Sequence, residues 1–492
     1  MHKLPFIPAL SLSFGIALSS ITGLAWWFGA IPVILGIALY FFILYSSSDP
    51  ISTFKLGKWH AVWVVLIFAG IGMIDEAFAT PDDLEKAYRG RVPATVTCEV
   101  TGVLTKTYGD RIDVIIAGTN HAKARLRSEA TDLSPGDLIS VPTKYLRSIS
   151  KDTTEIGKKT APMLKASGIL YTGFITPTSI DKLGRSKSPR YYFSGIREHI
   201  EIKIEKSHLK KYVANFINAI LMGDKTGLDE RTRLTFAHGG TAHMLALSGL
   251  HLGIIASFLL VLLWPLKLLG KYKWVYGAAI ILLWTYVFVT GLAYSSVRAC
   301  IMTTVAFLAI ITERKNFAGN ALSSACILIL LFDPSALFDA GFQLSVVCVG
   351  ALIIYASRLN PISHRHHPIL YFICSILIAT MVATGASWAL TSYYFSQIPL
   401  MFLPTNLFLL PILPFYLFLA MIYVMMLCIG TDCSVLASIL NQGYDFMLWL
   451  TEKFSGGAEF VVDYQLPLWG VIAWLILFFA AGWWLNKDKT LT

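Results

Sequence analysis

Apolar runs of about 17 to 25 residues recur along this chain, each long enough to cross a bilayer as a helix. They confine the fold to a membrane helix bundle, because a backbone in lipid must satisfy its polar groups internally. Composition agrees. Of 492 residues, 55% are hydrophobic and 14% charged, where soluble domains carry about 25% charge. The first runs cover 6–24, 27–45 and 59–74. The first reads as a retained span and not a cleaved leader, since a second comes at once. Lys55 and Lys58 place the loop after the second run in the cytoplasm. The third span then delivers the next segment to the outer face.

That segment is a polar block in which the charges concentrate. Residues 82–190 hold 18 Lys and Arg against 12 Asp and Glu, a balance suited to polyanions or anionic lipid head groups. The period here shortens to two. Residues 92–100, 111–118, 121–127, 134–146 and 169–175 alternate or are β-branched, with Gly and Pro turns between. Five short strands in about 100 residues fit a small barrel of the OB type. In HAKARLR the alternation sets Lys123, Arg125 and Arg127 on one strand face, which either tracks a phosphate backbone or is simply solvated. Tyr108, Tyr145 and Tyr171 are available for base stacking.

From residue 194 the spacing becomes helical and amphipathic, as in a helix at a membrane surface. Spans are then expected at 243–263, 274–291, 297–312, 319–332, 338–356, 368–395, 415–429 and 466–485. The amphipathic stretch 434–450 fits a surface helix or a span. The fold class is therefore a polytopic α-helical membrane protein with an inserted extracytoplasmic small β-barrel (OB-like) domain. Its parts are N-terminal helices over 1–80, the OB-like domain over 81–190, surface helices over 191–240 and a membrane core over 241–492. Seven scattered cysteines lack C-x-x-C spacing and indicate neither disulfides nor a thiolate metal site.

Inside the apolar core the polar residues stand out. HGGTAHMLALSGLHLG sets His243, Ser248 and His251 where one helix would carry all three on a broad face. Its glycines permit close helix approach or a broken helix. Arg298 opens another span and must snorkel, pair or line an aqueous path. Gln343 lies inside the span after FDPSALFDAGFQLS, whose Asp333 caps or turns. Asn406 sits among Pro399, Pro404, Pro411 and Pro414, a density that predicts a re-entrant or broken helix beside a cavity. These six residues either line a polar route or tie helices together locally. Ser248 is not in G-x-S-x-G, the histidines lack helical zinc spacing, and SHRHHP (363–368) reads as a basic loop. No catalytic residue, metal or cofactor is expected.

Four segments, LMGDKTGLDERTRLTFAHGGTAHMLALSGLHLGI, TGLAYSSVRACIM, DPSALFDAGFQLS and IPLMFLPTNLFLLP, together resemble the ComEC competence protein family. So does the order of N-terminal spans, OB-like domain and core. The resemblance implies a channel in the bacterial inner membrane, multi-pass, that passes single-stranded DNA into the cytoplasm during natural transformation. Many members end in a metallo-β-lactamase-like domain. No H-x-H-x-D-H occurs here, so strand degradation is expected from a separate nuclease, or from none. The P-loop pattern G-x-x-x-x-G-K-[ST] is absent as well, so a cytoplasmic motor or helicase would pull, and a DNA receptor would deliver the strand. Two readings compete with the channel. An intramembrane enzyme acting on lipid-linked or cell-wall substrates requires a nucleophile, base and orienter in contact. A scaffold for uptake machinery requires none of the polar residues.

Overall fold

The computed structural model describes residues 6–22, 26–46, 59–79, 84, 88, 91–106, 109–119, 122–129, 131, 133–149, 169–186, 189–225, 227–245, 247–268, 272–292, 294–313, 318–359, 368–455 and 460–487. Contacts divide the chain into two units: residues 1–194 with 326–339, and 195–325 with 340–492.

The first unit begins with α1 (Phe6–Thr22), α2 (Trp26–Ser46) and α3 (Trp59–Ala79). α3 packs on both others. The approach to α1 is so close that a Cβ on Gly15 would collide with the Ala69 carbonyl, and one on Gly72 with that of Leu12. The 3₁₀ turn Pro334–Phe338 packs against α1 and α3. Asp333 caps it, accepting from the Ser335 N–H at 3.1 Å.

The polar block forms β1 (Thr95–Lys106), β2 (Gly109–Ile116), β3 (Lys123–Ser128), β4 (Asp137–Pro142), β5 (Arg147–Ser148), β6 (Ile169–Phe174) and β7 (Asp181–Arg185). They make one sheet in the order β5-β6-β3-β2-β1-β4-β7, antiparallel except for β3 with β6. Alternation drives one face inward: Val96, Cys98, Val100, Ile112, Val114, Ile116, Ala124, Leu126, Ile139 and Tyr171 form its core. All five expected strands are present, but the sheet is open and not a closed barrel. β7 takes the free edge of β4, so β4 and β6 do not meet, and every residue of β7 is exposed.

The second unit begins within α4 (Pro189–Glu205) and continues with α5 (Lys211–Ile217), a π turn (Asn218–Met222) and α6 (Glu230–His238). A 3₁₀ turn (Ala242–Leu245) leads to α7 (Gly249–Leu262) and the short α8 (Trp264–Leu268). Then come α9 (Tyr272–Val289), α10 (Tyr294–Ile311), α11 (Ala318–Phe332), whose residues from 326 on count with the first unit, α12 (Ala340–Leu359) and α13 (Pro368–Phe395). The chain ends with β8 (Gln397–Pro399), α14 (Phe402–Ile429), α15 (Ser434–Ser455), β9 (Val461–Asp463) and α16 (Leu468–Lys487). Among the described residues α9, Leu370–Phe395 of α13, and α14 are long and apolar enough to cross a membrane, and shorter apolar helices accompany them. α7, α9 and α10 share one core through Leu252, Ile255, Leu283, Val287 and Cys300. α12, α13 and α16 share another around Ala351, Tyr355 and Ala386.

The proline-rich stretch is neither broken nor re-entrant: α14 runs without interruption through Pro411 and Pro414. Pro404 lies in its first turn, where an N–H has no helical partner to lose. The other two each remove one bond, a loss that helices with lipid and protein neighbours tolerate.

Candidate polar site in the helical core

The segment around Ser248 does not begin as one helix. His243 lies in the 3₁₀ turn, Ser248 is extended (φ −119°, ψ 170°), and α7 starts at Gly249. The broad shared face expected of His243, Ser248 and His251 is therefore not formed, because glycine and serine break the run before the helix begins. Ser248 occupies the cap position with its hydroxyl turned elsewhere. Its Oγ meets Nδ1 of His251, one turn along, at 2.8 Å. His251 is buried, and its Nε2 finds no well-aligned hydrogen-bond partner among the described residues.

Arg298 joins this pair from α10. It is 2% exposed, and its Nη2 lies 3.8 Å from where a Cβ of Gly249 would stand. The guanidinium thus sits within van der Waals reach of the start of α7. His243 is itself exposed, although Thr241, Met244 and Leu245 around it are buried, and it stands within electrostatic reach of His251.

Two of the four notable segments, 221–254 and 290–302, converge here. The Ser295 hydroxyl donates to the Leu247 carbonyl at 2.8 Å. Leu247 packs against Gly223, where the φ of +77° would strain any other residue and a Cβ would stand 2.8 Å from the end of the Leu247 side chain. The Tyr286 hydroxyl donates to the Leu221 carbonyl at 2.5 Å. Sequence spacing gave no sign of these ties, which link residues 48 and 65 apart.

Gln343 and Asn406 are placed differently. The Gln343 Oε1 accepts from the Tyr394 hydroxyl at 3.0 Å, which ties α12 to α13. Asn406 is 4% exposed on α14, and its Oδ1 has no hydrogen-bond partner among the described residues. Beside it, Thr405 meets the Gly239–Gly240 turn: a Cβ on Gly239 would lie 3.1 Å from the Thr405 methyl and 3.0 Å from that of Thr451. Ser248 and His251 thus meet directly, Arg298 lies beside Gly249, His243 stands within electrostatic reach of His251, and Gln343 and Asn406 lie on other helices. The buried oxygens of Asn218 and Ser296, unpartnered among the described residues, were missed by sequence reasoning. Their signal, a polar residue in the NAILMGD and SSVR segments, was available. Each such atom costs about 1–3 kcal/mol if nothing ever meets it.

On the sheet, the alternation of β3 holds. Lys123, Arg125 and Arg127 point away from the core, while Ala124, Leu126 and Ser128 are buried. Arg125, however, is committed across the strand pair. Its Nε and Nη2 donate to Asp113 at 2.8 and 3.2 Å, and Arg111 donates to the same carboxylate at 2.9 Å. Burial pushes the Asp113 carboxyl up, but the two arginines outweigh it and hold it below the ordinary carboxylate value. Arg127 is exposed and faces the exposed Phe174 in register. Tyr171 is buried, its hydroxyl accepting from the Leu84 N–H at 2.8 Å, so it offers no stacking face. Tyr145 lies under the Lys144 ammonium, 5.0 Å from the ring centre. Tyr108 and residues 363–367 of the basic loop lie outside the described residues. No cluster of metal-ligating residues is present among the described residues.

Long apolar helices that keep an arginine and a serine–histidine pair inside define a helical membrane protein with a polar interior. More particularly, the Competence protein family model matches residues 220–488, more than half of the chain, and the chain belongs to that family. Over 244 residues it is 28% identical to ComE operon protein 3 of Bacillus subtilis (strain 168). That stretch is 49% of this chain and 29% of the relative, so the match covers less than a third of the relative's length. No solved structure matches the chain.

Proposed function

We propose that this chain is a multi-pass inner-membrane channel that passes single-stranded DNA into the cytoplasm during natural transformation. Membership of the Competence protein family carries the reading. The buried polar groups support it, since side chains of this kind in lipid-spanning bundles commonly mark a path for polar cargo. His243, Ser248, His251, Arg298, Gln343 and Asn406 would replace water around the passing phosphates. Arg298, His251 and Asn406 are all buried in the described conformation, so conduction requires the helices to part.

The sheet domain would stand on the outer face and receive the strand, with Lys123, Arg125 and Arg127 as the first contacts. Five successive strands, β6-β3-β2-β1-β4, support its use as a partly open OB-like barrel. A DNA receptor, a separate nuclease and a cytoplasmic motor or helicase complete the proposed machinery. The test is to delete the gene and follow labelled DNA. Normal entry of DNA into the cytoplasm would reject the channel.

One observation favours a second reading. The 2.8 Å bond between Ser248 and His251 is the contact that a nucleophile makes with its base. An intramembrane enzyme acting on lipid-linked or cell-wall substrates would use it. Such an enzyme also needs a group orienting His251, and among the described residues Nε2 has none of good geometry.

A further inference from the structure

The helix pair α14–α15 carries charge where a lipid-spanning pair should not. A turn at 430–433 joins the two helices, and they run antiparallel. Gly443 lies on the Tyr416 ring, with a Cβ there 3.1 Å from it, and Gly239 touches Thr405 and Thr451 together. These contacts set the register. Asp445, two residues past Gly443, lies level with the middle of α14. At 1.5 Å per residue, the middle of this 28-residue helix is about 20 Å from either end.

At that level Asp445 is ionically paired and open. Its Oδ2 meets Lys210 Nζ at 3.0 Å, with the side chains 46% and 51% exposed. Its Oδ1 accepts from the Tyr212 hydroxyl at 3.1 Å. One turn earlier, the Asn441 Oδ1 accepts from the Lys210 N–H at 3.0 Å. Toward the far end Glu452 pairs with Arg231 at 2.8 Å, side chains 36% and 72% exposed. Near the start Asp432 pairs with His208 at 2.6 Å. Positions 441, 445 and 452 share one helical side. A different side of α15 carries Val435, Ile439, Phe446 and Trp449, all exposed and apolar. A third is buried through Ala437, Leu440, Tyr444 and Met447.

Three sides therefore meet three environments. The buried side meets protein and the apolar side suits lipid. A half-exposed ion pair at mid-depth suits neither, because a charge facing hydrocarbon is withdrawn, neutralised or hydrated. We infer that α5, α6 and the charged side of α15 border a water-filled vestibule reaching the middle of the bilayer. Tyr444, whose hydroxyl meets that of Thr232 at 2.6 Å, and the rings of Phe216, Phe236 and Tyr416 form the wall between this vestibule and the packed interior. The inference rests on α14 crossing the bilayer and is independent of what cargo the protein carries.

Charged, membrane-impermeant thiol reagent applied to both faces of opened membranes tests it. The full chain carries Asp445→Cys, Asn441→Cys, Ile439→Cys or Phe446→Cys in turn. Peptide-resolved mass spectrometry reads each site, so the seven native cysteines stay in place. The two charged-side positions should react at least about tenfold faster than the two apolar-side positions, as ionised thiolates form in water and not in lipid. Asn441→Cys leaves the Lys210–Asp445 ion pair intact and covers the case where Asp445→Cys fails to fold. Equal, slow reaction at all four would mean that protein or lipid seals the face, and the vestibule is overturned. Equal, fast reaction at all four would put the helix pair outside the bilayer, and the vestibule falls with the span.

Discussion

The sheet domain and the helical core solve opposite solvent problems with the same side chains. In the sheet, apolar residues turn inward and Lys123, Arg125 and Arg127 turn out. In the core, Ile429, Trp274 and Phe415 are among the most exposed residues, while Ser296, Ser392, Thr405 and Arg298 are sealed inside. The difference shows what an arginine means in each place. On the sheet it is a surface charge whose work depends on whether a carboxylate holds it. In the core it is a group that lipid would reject, so its burial needs protein, water or cargo around it.

The strongest way to break this contrast is Arg298→Leu. If the buried guanidinium only decorates the core, an apolar side chain will serve as well. If it organises the start of α7, breaking its contacts costs roughly 3–5 kcal/mol, or about a hundredfold or more in transformation frequency. Membrane abundance of the variant must be measured alongside. Unchanged transformation at normal abundance removes Arg298 from the path.

Ser248→Ala sharpens the same region and separates the two functional readings. A hydroxyl that merely holds His251 is worth about 1 kcal/mol, so transformation should fall only about fivefold. Removal of a catalytic nucleophile costs on the order of a millionfold. Complete loss of activity with normal protein levels would favour the enzyme.

How much of this was legible in the sequence depends on range. Strand positions came from alternation, which is local, and every expected strand is present. Orientation along β3 came the same way. The Asp113 clamp on Arg125 did not, because it spans two strands and twelve residues. Alternation says which way a side chain points and nothing about what faces it. In the core, the long apolar helices were plain from length, but the helix start at Gly249 depends on Ser248 being extended, which a uniform apolar period conceals. The continuity of α14 was misread because proline was weighed as in water, where solvent takes the freed backbone groups and lets a helix break, whereas in lipid those groups must be met within the protein and the helix persists. The charged side of α15 was visible as amphipathicity, and only its register against α14 gives it depth.

A smaller effect distinguishes arginines within the sheet. Arg127→Gln in the whole purified protein should weaken single-strand binding and lower its salt slope by about one. Arg125→Gln should leave that slope nearer its original value, since its guanidinium is already occupied by Asp113. It should instead lower sheet-domain stability by about 1 kcal/mol, a value reduced by the partial exposure of the pair. The same slope for both variants would mean that Asp113 does not restrain Arg125.

The least effect, and the one with the clearest sign, is the pH dependence of that clamp. Burial acts to raise the Asp113 carboxyl, but hydrogen bonds and charge from Arg125 and Arg111 prevail and leave it below its ordinary value of 3.8. A carboxyl depressed in the folded state stabilises the fold above its unfolded value, and that contribution is lost as pH falls through the folded value. Sheet-domain stability at neutral pH should therefore hold down to about pH 4 and decline below it. Asp113→Asn should flatten the decline, because an amide does not titrate while its carbonyl still accepts from Arg125. Hydrogen exchange on β2 and β3, followed as pH is lowered, reads this locally within the intact chain. An equally steep decline in Asp113→Asn would assign the acid sensitivity to other carboxylates and leave the sheet's arginines as free as their surface position implies.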